Sequence, residues 1–318
     1  MSAVVVLIET DEGRIDLVSR EALTVAGVLG SEVHAVVLGT VVEAIMADAA
    51  DHGVAVVHEA TDAELSRYAA AAWARAVDAC AAATEAAIVI GAGSPHGMEV
   101  LAHVAARRRV PMSANVVDIT SMEPLEVERQ VAGGAVLERR RLTASPAVFT
   151  IAGHAFDAEP NDAPAATQRR PFAVGLAAED LRAQLSAVEA DAGGDGAELA
   201  TARIVIGVGR GAGGPNGFAD ADRLAARLGG VVGVSRVVTG NGWRPHHEQV
   251  GQSGTRIAPD VYLACGISGA AQHLAGCSAA KTVIAINTDA NAPMVAKADY
   301  AVIGDMHEVL PALLQALE

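Results

Sequence analysis

The stretch Ile204-Val-Ile-Gly-Val-Gly-Arg-Gly-Ala-Gly-Gly214 is a short apolar run that breaks into glycines, and the amphipathic segment Phe218 to Leu228 follows it. A β-branched run, a glycine turn and a helical period predict strand, turn and helix, the start of a Rossmann-like unit. Gly209, Gly211 and Gly214 stand in GxGxxG spacing. Glycines there permit close approach of a pyrophosphate, and a following helix N-terminus offers unpaired N–H groups to it. The next predicted strand, Gly230 to Val234, ends in Ser235-Arg236, with no carboxylate where an NAD ribose would be held. An arginine at that place leaves an NADP-dependent dehydrogenase as one reading.

Apolar runs continue at Val261 to Cys265, Thr282 to Ile286 and Tyr300 to Ile303, so residues 201–318 read as one α/β domain. Upstream, runs at Ala3 to Ile8, Val33 to Leu38, Val54 to Val57 and Ala87 to Gly91 alternate with helical segments, which predicts a parallel sheet covered by helices. Four later runs, Ala114 to Ile119, Leu125 to Val131, Val136 to Leu142 and Ala147 to Ile151, are less regular and are expected as antiparallel additions at one edge. Composition then shifts to Ala, Asp, Glu, Pro and Gly, predicting a connector from about residue 156. The expected organisation is an N-terminal α/β domain over 1–190, a Gly-rich flexible linker over 191–200, and a C-terminal domain over 201–318.

The 318 residues are 51% hydrophobic and 19% charged, which excludes global disorder. Net charge is −15 and aromatics make up 3%, a poor composition for nucleic acid or anionic membrane surfaces. No apolar run reaches the length of a spanning helix, and the first residues lack a basic signal-peptide start, so a cytoplasmic location is expected. Cys80, Cys265 and Cys277 show neither CxxC spacing nor even pairing, and read as reduced core residues. His246-His247 beside Glu248 has no further ligand spacing, so no metal site is expected. Ser94-Pro-His-Gly97 ends a predicted parallel strand, where either a ligand or a structural turn would sit.

More specific segments follow the glycine turn: Gly240-Asn-Gly-Trp-Arg-Pro245, Glu248-Gln-Val-Gly-Gln-Ser-Gly254, Ala258-Pro-Asp-Val-Tyr-Leu263, Gly266-Ile-Ser-Gly-Ala-Ala-Gln-His-Leu-Ala-Gly276 and Ile284-Ala-Ile-Asn-Thr-Asp289. In this order they closely resemble the alpha (large) subunit of electron-transfer flavoproteins. The resemblance implies a two-domain α/β protein whose C-terminal Rossmann-like domain holds FAD. It implies an electron carrier rather than a substrate-converting enzyme, taking electrons from dehydrogenases and passing them to a quinone reductase or other acceptor. It also implies a beta subunit that packs on the first domain, completes the FAD site, and itself carries AMP or a second flavin.

Carried over residue by residue, the resemblance places Arg210 in the glycine turn and Ser235 with Arg236 after the second strand, Arg236 lying over the flavin ring. Gln249, Gln252, Ser253 and Gly254 match the loop that approaches flavin N5; Ser253 stands where the family has threonine, keeping the hydroxyl. Gly266, Ser268, Gln272 and His273 match the turn that brings His273 near N1 and O2. Asn287 and Asp305 match positions that hold the adenosine half. Physically, reduced flavin carries negative charge, so an Arg and a His aimed at the ring favour it. Beside this stand the NADP-dependent dehydrogenase and a module that binds a nucleotide through its first domain.

Overall fold

The computed structural model describes residues 3–30, 32–132, 136–161, 164–187 and 197–317. They form two compact α/β units, one built from the described residues of 1–131 and 136–187 and the other from residue 197 onward.

In the first unit, β1 (Ala3–Ile8) is followed by a small hairpin of β2 (Thr10–Asp11) and β3 (Arg14–Ile15), then α1 (Leu17–Leu29) and β4 (Glu32–Leu38). The chain continues through α2 (Glu43–Asp51), β5 (Val56–Ala60), α3 (Ala70–Ala83), β6 (Ile88–Ala92) and α4 (Pro95–Arg108). Then come β7 (Met112–Met122), β8 (Leu125–Val131), β9 (Val136–Arg141), β10 (Ala147–Ile151) and β11 (Gln168–Phe172). One nine-stranded sheet results, in the order β11-β5-β4-β1-β6-β10-β7-β8-β9. Alternate residues of β1 feed opposite layers: Val4, Val6 and Ile8 pack with α1 and α2, and Val5 and Leu7 with α3 and α4.

Two expectations need correction here. Ala147–Ile151 is an interior strand, parallel to both β6 and β7, and among the described residues of this sheet the antiparallel pairings are β7 with β8 and β8 with β9. Its five residues are all buried, as a continuous apolar run should be when helices cover both faces. The connector, in turn, contains β11, which joins the opposite edge parallel to β5. Its sequence Gln-Arg-Arg-Pro-Phe is polar because the strand is exposed on an edge, where the missing N–H of Pro171 is tolerated.

The second unit opens with α5 (Ala197–Thr201), whose Leu199 is buried in this unit's core, so the part of the expected 191–200 linker from Ala197 on is helix; residues 191–196 lie outside the described residues. Then follow β12 (Ile204–Val208), α6 (Ala219–Leu228), β13 (Val231–Val234), α7 (Arg236–Gly240) and β14 (Val261–Cys265). The chain finishes with α8 (Ala271–Cys277), β15 (Val283–Asn287), α9 (Pro293–Lys297), β16 (Tyr300–Ile303) and α10 (Met306–Ala316). The five strands are all parallel, in the order β13-β12-β14-β15-β16. From β12 the chain moves to one side to make β13 and then to the other to make β14, so a topological switch point lies between β12 and β14. No helix among the described residues is long and apolar enough to cross a membrane.

Candidate functional site

A cleft of about 970 Å³ lies in the second unit. Its wall is supplied by the turns that follow all five strands: Arg210 after β12, Arg236 after β13, Ser268 after β14, Asp289 after β15 and Asp305 after β16. That is where open parallel sheets hold ligands, and the volume is at the upper end of small-molecule sites.

The two turns at the switch point are packed backbone to backbone. The Gly209 N–H donates to Cys265 O at 2.9 Å and the Gly211 N–H to Gly266 O at 3.1 Å. A Cβ on Gly209 would collide with the Gly266 carbonyl, and one on Gly211 would come within 2.6 Å of Gly266 Cα. Gly266 itself has φ +59°, so it too resists a side chain. These glycines serve the fit of one turn on another. A Cβ on Gly214, the third glycine of the spacing, would meet nothing within 4 Å among the described residues. The helix that follows begins only at Ala219, carries Asp220 and Asp222 in its first turn, and contributes nothing to the cleft wall. The expectation of a pyrophosphate seated on that helix N-terminus is therefore corrected: the intervening residues 213–218 carry the helix start away from the cleft.

The loop of residues 249–254 forms another wall. Gln249 is buried; its Oε1 accepts from Thr239 Oγ1 at 2.6 Å, and its Nε2 donates to Ser253 Oγ at 3.1 Å. Arg236 Nη1 also donates to Ser253 Oγ, at 3.2 Å. Both acceptor directions of that hydroxyl are thus filled, and its own O–H is left to donate into the cleft. The Gln252 N–H donates to Gln272 O at 2.8 Å, tying this loop to α8. Gly254 does not line the cleft; a Cβ there would strike the Gln249 carbonyl, so it closes the loop from behind.

His273 is buried in the cleft wall, with Nε2 at 2.7 Å from Tyr262 Oη and Nδ1 without a hydrogen-bond partner among the described residues. Burial pushes its imidazole down to about 4, against a smaller upward pull from the Val250 backbone. It is neutral at pH 7, so it supplies an oriented dipole rather than a positive charge. Asn287 donates from Nδ2 to Ile267 O at 2.8 Å and accepts from the Asp289 N–H at 3.0 Å, fixing two of the turns. Asp305 caps α10 by accepting from the His307 N–H at 2.9 Å.

Of the expected site residues, Arg210, Ser235, Arg236, Gln249, Gln252, Ser253, Gly266, Ser268, Gln272, His273, Asn287 and Asp305 all line this one cleft. Thr288, Asp289 and Met306 line it as well and were not foreseen, because a turn after a strand carries no period to read. Tyr262 and Thr239, which act from behind, were legible only as strand and helix residues. A single tyrosine inside an aliphatic strand was the available signal for the first.

The family model of the electron transfer flavoprotein domain matches residues 4–180, and that of the electron transfer flavoprotein FAD-binding domain matches residues 198–278. The chain belongs to the electron transfer flavoprotein alpha subunit family. Proteins named electron transfer flavoprotein subunit alpha are similar along the full chain: that of Syntrophomonas wolfei is 31% identical, covering 100% of both chains. That of Mycobacterium tuberculosis is 35% identical, covering 100% of this chain and 99% of its own. A protein named FixB from Clostridium saccharobutylicum is 33% identical over 97% of this chain and 94% of its own. The FAD-binding domain match contains most of the cleft wall, whereas Asn287, Asp289 and Asp305 lie beyond it.

The residues present fit FAD. Two guanidiniums, Arg210 and Arg236, flank the β12 and β13 end, donors line the middle, and Asp289 and Asp305 sit at the other end. His273 Nδ1 is a buried polar atom that awaits a partner.

Proposed function

We propose that this alpha subunit carries its FAD in the second-unit cleft and works with a beta subunit as a cytoplasmic electron carrier, receiving electrons from dehydrogenases and delivering them to a quinone reductase or other acceptor. The observation that carries the reading is the convergence of Arg236, Ser253 and His273 on one cleft at the carboxyl ends of the strands. FAD supplies, when bound, the ability to take up and release electrons singly or in pairs.

The chain's own residues bind and bias it. Arg236 is exposed and bonds only the neutral Ser253 among the described residues, so its charge is not cancelled by a carboxylate. A cation so placed favours added negative charge on a ring beside it. Ser253 donates from a hydroxyl whose direction is set by Gln249 and Arg236. The three cysteines are buried, and burial pushes each thiol up to about 12.

The test is coexpression with a beta-type subunit, followed by a visible spectrum and a dehydrogenase-coupled reduction assay. Flavin absorption and reduction by the donor enzyme are expected. A colourless protein that oxidises a substrate with NADP would overturn the reading.

A further inference from the structure

We propose that Tyr262 is a positioning residue, which donates its phenolic proton to Nε2 of His273 and so holds the imidazole in the tautomer that carries its proton on Nδ1. The inference deepens the FAD reading above and rests on it for the ligand, but not for the tautomer itself.

Tyr262 sits on β14 and is fully buried; its hydroxyl lies 2.7 Å from His273 Nε2 and has no other hydrogen-bond partner among the described residues. Burial raises the phenol well above its usual range, so it always has a proton to give. Two assignments of the pair are open in principle. If Nε2–H donated to the phenol, the buried O–H and the Nδ1 lone pair would both be left unsatisfied. If the phenol donates to Nε2, its O–H and the Nε2 lone pair are satisfied together, and one Nδ1–H remains for a ligand in the cleft or for the nearby Val250 carbonyl. A buried polar group without a partner costs more than a made hydrogen bond returns, so the second assignment wins.

The sheet is built to allow this placement. Gly207 on β12 lies under the tyrosine ring, and a Cβ there would collide with the phenolic oxygen. The glycine that interrupts Ile204-Val-Ile-Gly-Val is thus the slot for the ring, independent of the glycine turn that follows. The functional consequence is a cleft wall that offers a neutral N–H donor to an acceptor edge such as a flavin carbonyl or unprotonated ring nitrogen. It offers neither a lone pair nor a cation.

The experiment is ring ¹⁵N NMR of the full chain, histidine-labelled and assembled with a beta-type subunit, before FAD is added, with FAD titration of the same samples. The parent should show His273 with protonated Nδ1 and unprotonated Nε2, unchanged from pH 8 down to pH 5. Tyr262→Phe should erase that pattern and weaken FAD binding about tenfold, the loss of one buried hydrogen bond. In a His273→Leu background, Tyr262→Phe should change FAD affinity no further, because its effect passes through the imidazole. A parent with the proton on Nε2, a spectrum unaltered by Tyr262→Phe, or additive losses in the double variant would overturn the proposal. Failure of every variant and the parent to bind FAD would overturn the cofactor reading instead, and leave the tautomer result to decide this one.

Discussion

The two units use the same device and finish it differently. Each has a switch point beside its first long strand: β1 lies between β4 and β6, and β12 between β13 and β14. The residue after β12 is Gly209, whose lack of a side chain lets the turns pack and leaves a cleft. The residue after β1 is Glu9, and its carboxylate lies across the crevice to accept from Ser94 Oγ at 2.6 Å. Ser94 in turn caps α4 by accepting from the Gly97 N–H at 2.8 Å. An acidic side chain thus fills the helix terminus that would otherwise attract a phosphate. Burial pushes the Glu9 carboxyl up to about 7, against the lowering effect of Ser94. The same topology can make a site or close one, and one residue at the end of the first strand makes the difference. A nucleotide bound through the first unit at this place finds the position taken.

Four substitutions test that contrast, beginning with the largest effect. Gly209→Ala should destabilise the second unit by about 1–3 kcal/mol, the cost of overpacking a tight backbone contact, and abolish measurable FAD binding. Calorimetry and fluorescence titration read both, and normal binding would show that the turn contact is dispensable. Glu9→Gln should act only on the first unit. The Glu9 carboxyl titrates near 7 when folded and near 4.5 when not, so its penalty is absent in acid and complete above about pH 7. The variant should be more stable than the parent by about 1–3 kcal/mol at pH 8 and equal to it at pH 4, with FAD affinity untouched. Equal stability at both pH values would mean that Glu9 is solvated.

Arg236→Ala should keep the fold, lower the flavin potential and weaken the preference for the reduced form by about 1–3 kcal/mol. A redox titration identical to the parent's would remove Arg236 from its role. Gly214→Ala should change stability by less than about 0.5 kcal/mol and leave FAD binding alone, because no atom lies where its Cβ would go. A large loss there would restore the dinucleotide-fingerprint reading of the turn.

Much of this architecture was legible in the sequence where periodicity and composition agree. Val261–Cys265 and Tyr300–Ile303 appear as strands with the boundaries their apolar runs predict. Legibility failed where tertiary context decides. Ala147–Ile151 has the composition of either an edge or an interior strand, and only the β6 and β7 neighbours put it in the middle. Gln168–Phe172 has almost no strand signal, since an exposed edge strand needs no apolar face. In the cleft, the resemblance drew together residues far apart in the chain, yet the purpose of the glycines was hidden. GxGxxG spacing says nothing about whether a glycine faces a ligand or, as Gly209 and Gly211 do, another turn. The protonation of His273 was equally out of reach, because it depends on a tyrosine eleven residues away on a neighbouring element.

Hydrogen exchange on the full-length protein, with and without added FAD, tests the central contrast most directly. The account predicts slowed exchange in the segments at 209–211, 235–237, 249–254, 266–273, 287–289 and 305–306, and none at Glu9 or at Ser94–Gly97. Protection at Glu9 and Ser94–Gly97, with the second-unit turns unchanged, would contradict it.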